Sequence, residues 1–164
     1  MLRADLEADF TAYVAERWSP LVRFATLLTQ SDADAEDLVQ GALVKAASRW
    51  ERVADSPEGY VRTIITRDHV SRWRRHRGRV VLHAEVPEAP ARESDAAGLL
   101  DLRAALASLP PRQRAAVVLR HHLGLSERET AETMRCSVGA VKSQTHAGLS
   151  RLRALLAEPA SATV

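Results

Sequence analysis

The sequence predicts an all-α protein, two small helical domains joined by a flexible linker. Three observations carry that expectation. Apolar residues make up 46% of the 164-residue chain, yet only two Phe, three Trp and two Tyr are among them. The remainder is mostly Ala, Leu and Val, which favours helices over sheets. Helix-start signals recur, with Ser19-Pro20 and Ser56-Pro57 as cap plus first-turn proline and Ser126 with Glu129 as a capping box. Between them, residues 78–98 lose helical periodicity and gather prolines and acids.

Each element follows from local signals. Asp5 to Trp18 has helical composition, and Ser19-Pro20 should end it and open a second helix through about Leu28. Ser31 caps the next helix, with Asp34 in the capping-box position. Its apolar stripe is Ala35, Leu38, Val39, Ala42, Leu43, Ala46, Ala47 and Trp50. "ERVADS" reads as a loop, and Pro57 to about His76 as a helix ending in the arginine-rich "SRWRRHRGR". A short helix spans Leu99 to Leu109, and Pro110-Pro111 breaks it and starts "RQRAAVVLRHHL", which stops at Gly124. Ser126 opens a helix ending near Met134, and Ser137 caps a last one to about Ala157. That makes four helices on each side of the linker.

Charge narrows the functional classes. The net charge is only +2, but it is segregated. Residues 1–58 carry 11 acids and 6 bases; residues 59–84 carry 7 bases and 1 acid; residues 85–101 carry 5 acids and 1 base; residues 102–164 carry 9 bases and 4 acids. Two basic blocks separated by an acidic one suit two contacts with a polyanion. No run approaches the roughly 20 apolar residues of a membrane span, the N-terminus has no secretory h-region, and the single Cys136 excludes an internal disulfide framework. A cytoplasmic protein is expected. So is the absence of catalysis, cofactor and metal. The acids of "SDADAED" lie in the first turns of a helix, where they favour its dipole, and His121, His122, Cys136 and His146 lack zinc spacing.

"ETAETMRCSVGAVKSQTHAGLSRLR" has the form of a helix-turn-helix. Ala131 is small enough for the second helix to cross closely, and Val141, ten positions on, can hold it down. The turn position between them favours glycine, since it needs φ > 0, but Arg135 stands there. On the last helix Val141, Thr145, Gly148, Leu149, Leu152 and Leu156 should face inward. Gly139, Ala140, Lys142, Ser143, His146 and Ala147 should face out, with no acid from Ser137 to Ala157 to repel phosphate.

Taken together, "DAEDLVQ", "LPPRQR", "LGLSERETAE" and "VGAVKS" occur in an order and spacing that resembles bacterial RNA polymerase sigma factors of the extracytoplasmic-function (ECF) type, sigma-70 family, and most the actinobacterial SigE-like subfamily. The resemblance implies sigma region 2 over residues 5–77, the linker over 78–98 and sigma region 4 over 99–157. Region 2 would bind the β′ clamp helices of core RNA polymerase and melt the −10 element. Region 4 would bind the β flap and read the −35 element.

Residue by residue, the resemblance assigns polymerase binding to Asp37, Gln40, Gly41 and Val44. It assigns the −10 contact to Arg62, Arg67, Arg72, Arg74, Arg75 and Arg77, with the loop from Trp50 to Ser56 holding a flipped base. Tyr60 and Trp73 are read as core rather than as base contacts. The −35 contact falls to Arg128, Arg135, Ala140, Lys142, Ser143, Gln144, His146 and Ala147, with Arg112 and Arg114 as added phosphate contacts. Gly41, Arg67, Gln144 and Ala147 depart from the common family pattern. Promoter DNA and core polymerase are the implied partners; an anti-sigma factor is compatible with the chain but leaves no signature in it. A rival reading, a helix-turn-helix regulator acting on duplex DNA alone, accounts for residues 99–157 but not for the arginine cluster or "DAEDLVQ".

Overall fold

A computed structural model describes residues 3–77 and 97–157, and these residues are helical with short connections. They fall into two compact units that divide between Pro87 and Glu88. Most of the linker expected at 78–98 lies outside the described residues.

The first unit holds α1 (Arg3–Thr29), α2 (Asp32–Ala47), α3 (Trp50–Val53) and α4 (Pro57–Arg77). The expected break at Ser19-Pro20 does not occur, and α1 runs through Pro20. Proline at an interior position removes one hydrogen bond and strains the preceding turn. Tertiary packing on both sides offsets that cost. Beyond the proline, Leu21, Phe24, Ala25 and Leu28 are buried; before it, Phe10 and Tyr13 pack on Trp50. α1 ends instead at Gln30, whose backbone is left-handed at φ 58°.

α2 starts where the sequence indicates, with the Ser31 hydroxyl accepting a hydrogen bond from the Asp34 amide at 3.3 Å. The expected stripe from Ala35 to Ala46 is buried against α1 and α4. Two of its members differ. Ala47 is exposed, and Trp50 is buried as the first residue of α3, a single helical turn inside the segment read as a loop. Trp50 is drawn in by the aromatic contacts and by an indole hydrogen bond to Asp9 Oδ2 at 2.9 Å, enough to order the turn around it. α4 completes the core with Val61, Ile65, Thr66 and Val70.

The second unit holds α5 (Ala97–Ala107), α6 (Pro111–Val117), α7 (Glu127–Met134) and α8 (Val138–Ala157). The helix expected over "RQRAAVVLRHHL" exists, but its second half, Val118–His122, widens into a π-type turn in which the Leu123 amide donates to the Val118 carbonyl. Gly124, at φ 68°, then stops it. α8 lies across α6 and α7. Its approach to α6 depends on Gly148: a Cβ there would come within 2.7 Å of Val117 Cγ2 and 3.3 Å of the Gln113 carbonyl oxygen.

Candidate nucleic-acid interface

The α7–α8 pair is built as a helix-turn-helix. The Ser126 hydroxyl accepts from the Glu129 amide at 3.1 Å, and the Glu129 carboxylate accepts from the Ser126 amide at 2.7 Å, closing the capping box. Those bonds hold the exposed Glu129 carboxyl below the usual carboxylate range. Ala131 and Val141 are buried, as their roles at the crossing require. Arg135 caps α7 in the left-handed region, φ 54° and ψ 50°. The Ser137 hydroxyl accepts from the Ala140 amide at 3.0 Å and starts α8.

The exposed side of α8 carries Gly139, Lys142, Ser143 and His146, with Ala140, Gln144 and Ala147 half-buried beside them. Leu156, expected on the inner face, is exposed because α8 extends past its partners there. The cations of this face are moderated by acids of α7: Lys142 pairs with Glu127 at 3.7 Å and Arg128 with Glu132 at 3.3 Å. Arg114, expected as an added phosphate contact, is less accessible than the other cations of this face. It is half-buried, its Nη1 reaches the Leu106 carbonyl at 3.5 Å, and burial pulls its guanidinium down from the usual arginine value.

In the first unit, Asp37, Gln40 and Val44 are exposed along α2, with Gly41 half-buried between them. The α4 arginines divide. Arg62 turns inward: it pairs with Glu58 at 3.0 Å and lies over the Phe24 ring at 5.5 Å. Arg67 and Arg75 are exposed and Arg72 and Arg74 half-buried, while the Arg77 side chain lies outside the described residues. Tyr60 and Trp73 are half-buried, so neither is a fully enclosed core residue. Tyr60, Ile64, Arg67 and Asp68 of α4 join Lys45, Ser48 and Arg49 near the end of α2 around an open concavity of about 330 Å³.

Comparison with known proteins places both halves. The pattern for Sigma-70 region 2 matches residues 14–79, and that for Sigma-70, region 4 matches residues 99–152. An RNA polymerase sigma-E factor of Streptomyces avermitilis is 37% identical over 152 residues, covering 88% of this chain and 83% of that one. The chain belongs to the sigma-70 family, among its ECF members. A second relative, the ECF RNA polymerase sigma factor SigE of Mycolicibacterium smegmatis, is 35% identical over 86% of this chain and 59% of its own length. The sigma factor RpoE of Bartonella quintana, solved in complex with the anti-sigma factor NepR, superimposes with a TM-score of 0.65 at 29% identity, covering 90% of this chain and 96% of that one.

The structure also brings together residues of this sigma factor that sequence reasoning did not pair. Arg72 Nη1 pairs with Asp37 Oδ2 at 2.9 Å, and Lys45 with Asp68 at 2.7 Å, both across α2 and α4. Glu58 receives the Tyr13 hydroxyl at 2.9 Å and Arg17 through two nitrogens at 3.1 and 2.7 Å. Burial opposes ionisation of Glu58, but the Arg17 and Tyr13 hydrogen bonds and the Arg62 charge outweigh it and hold the carboxyl below its usual range. The Tyr13 phenol is pushed up, by burial first and by Glu58 second. Tyr13 and Arg17 lie 45 and 41 positions from Glu58, so no local spacing signals them. Among the described residues, no group of three or more His, Cys, Asp or Glu is placed to hold a metal ion, and no helix is long and apolar enough to cross a membrane.

Proposed function

We infer that this chain is an alternative sigma factor: it binds core RNA polymerase, directs it to promoters through −10 and −35 elements and promotes melting for initiation. The observation that carries the reading is that the first unit presents a polar edge on α2 together with an arginine row on α4. Exposed Asp37, Gln40 and Val44 line α2, and α4 carries Arg67, Arg72, Arg74 and Arg75, with Arg67 at the rim of an open concavity. A regulator that only bound duplex DNA would need α5–α8 and would leave both faces without a purpose.

In this reading the α2 face takes the β′ clamp helices, and the α4 row with the concavity takes the displaced strand of the −10 element. The outer face of α8, with Arg128 and Arg135, enters the −35 major groove, while region 4 also meets the β flap. Arginines on a helix favour phosphate, and a base that leaves the stack needs a basic, partly apolar receptor. Asp37 and Arg72 serve different partners yet pair with one another. An exposed pair of this kind is worth about 0–1 kcal/mol, so either partner can replace it. The likeness to a sigma factor solved with an anti-sigma factor supports an anti-sigma partner here as well, and the cytoplasm as the place of work.

The test is direct. The purified chain is mixed with core polymerase, and complex formation by gel filtration is followed by run-off transcription on a fragment library. Co-elution and discrete start sites are expected; binding to duplex DNA without any association with core polymerase would overturn the reading in favour of a free-standing regulator.

A further inference from the structure

The short loop between α3 and α4, residues 54–56, is anchored at both ends by one side chain of α1. The Tyr13 ring packs on Trp50, just before the loop, with centroids 5.1 Å apart. The Tyr13 hydroxyl donates to Glu58 Oε2, just after the loop, at 2.9 Å. Neighbours reinforce each anchor. Phe10 meets the Trp50 ring edge-on at 5.0 Å, and Asp9 Oδ2 accepts from the Trp50 indole at 2.9 Å. Arg17 grips the other end with its two bonds to Glu58. The loop's own bonds are few: the Ala54 amide donates to Trp50 and the Ser56 amide to Val53. Asp55 and Ser56 are exposed.

We propose that Tyr13 is a positioning residue for this loop, and that the N-terminal turns of α1 are a clamp that sets how the loop meets the unstacked base of the −10 element. The inference rests on the sigma-factor reading for what the loop does. The clamp itself stands on the geometry. Asp9, Phe10 and Tyr13 lie before residue 14, where the match to the region 2 pattern begins, and Arg17, Trp50 and Glu58 lie within it. The physical argument is pre-organisation. A loop of three residues held by a buried ring on one side and a charge-assisted hydrogen bond on the other gives up its conformational freedom before DNA arrives. Releasing one end restores that freedom and makes base capture bear the ordering cost.

Tyr13→Phe removes only the hydroxyl and keeps the ring on Trp50; Glu58→Gln keeps the shape and removes the charge. Each is assembled with core polymerase at a start site found by run-off transcription, and unpaired −10 thymines are followed with permanganate. Both variants should form the polymerase complex with wild-type affinity yet open the promoter roughly ten- to a hundredfold more slowly, the effect of losing one hydrogen bond to a charged group. In the double variant the loss should fall short of the product of the two single ones, because both weaken the Tyr13–Glu58 contact, while Glu58→Gln also weakens the Arg17 and Arg62 contacts. Opening at the wild-type rate in both single variants would overturn the clamp, and so would additive losses or an equal loss of core binding. Failure of the wild-type chain itself to bind core polymerase would instead strike the underlying functional reading.

Discussion

Replacing Arg135 separates two effects that the turn of the helix-turn-helix combines. Its backbone sits at φ 54°, ψ 50°, a region that costs an L-residue about 1–2 kcal/mol. Arg135→Ala strips the side chain and leaves that strain in place. Arg135→Gly strips the same atoms and relieves it, though glycine gives back roughly 0.5–1 kcal/mol through the greater freedom of its unfolded chain. Between these two variants the glycine form should be more stable by about 0.5–1 kcal/mol, a shift of roughly 2–8 °C in the melting of a 60–100-residue unit. The assay is thermal unfolding followed by circular dichroism, with amide exchange on α7 and α8 to assign the transition. Promoter binding by the reconstituted polymerase complex is titrated against salt in parallel. If Arg135 holds a phosphate, both variants lower the salt slope by about 0.9. Equal stability of the two variants would refute the strain argument, and an unchanged slope in both would remove Arg135 from the DNA contact.

Other substitutions follow from the same structure. Gly148→Ala forces a Cβ to within 2.7 Å of Val117 and 3.3 Å of a backbone carbonyl; the overpacking cost of about 1–3 kcal/mol should outweigh the gain in helix propensity. Gly41→Ala meets open space and should stabilise the first unit by up to about 1 kcal/mol; denaturant melts of the two variants should move in opposite directions. Asp37→Arg should weaken core-polymerase binding while costing no more than about 1 kcal/mol of stability, since only the exposed pair with Arg72 is lost; a pull-down alongside a thermal melt distinguishes this from unfolding. His146→Ala and Ser143→Ala should shift −35 preference in run-off assays across promoter variants, with core binding unchanged. For pH, the Glu58 carboxyl is depressed in the folded chain. Its stabilising contribution is therefore present above the ordinary carboxylate range and is lost as pH falls through the depressed value. Glu58→Gln should flatten the acid side of the stability profile measured between neutral pH and pH 3.

Much of the architecture was legible in one dimension because its causes are local. The Ser31 cap, the Ser126–Glu129 capping box, the Gly124 stop and the α2 stripe are set by residues within four positions of one another, and all of them form. Where the sequence reading failed, distant packing overrode a local signal. Pro20 breaks an isolated helix, but α1 passes through it because both of its halves are packed, one on Trp50 and the other in the core. Trp50 continues the α2 stripe in sequence, yet Asp9, Phe10 and Tyr13, some forty positions earlier, draw it into a turn of its own.

The candidate interface divides along the same line. By itself the sequence determined the class of protein, the two helical units and the inventory of cations, because composition, capping and ordered motifs are properties of the chain. Only the tertiary structure decided which of those cations face outward. Arg62 and Arg114 look like their neighbours in sequence, but one is held against Glu58 and Phe24 and the other is half-buried toward the Leu106 carbonyl. A charge's availability depends on what the fold places within a few ångströms of it, and those neighbours are remote in the chain.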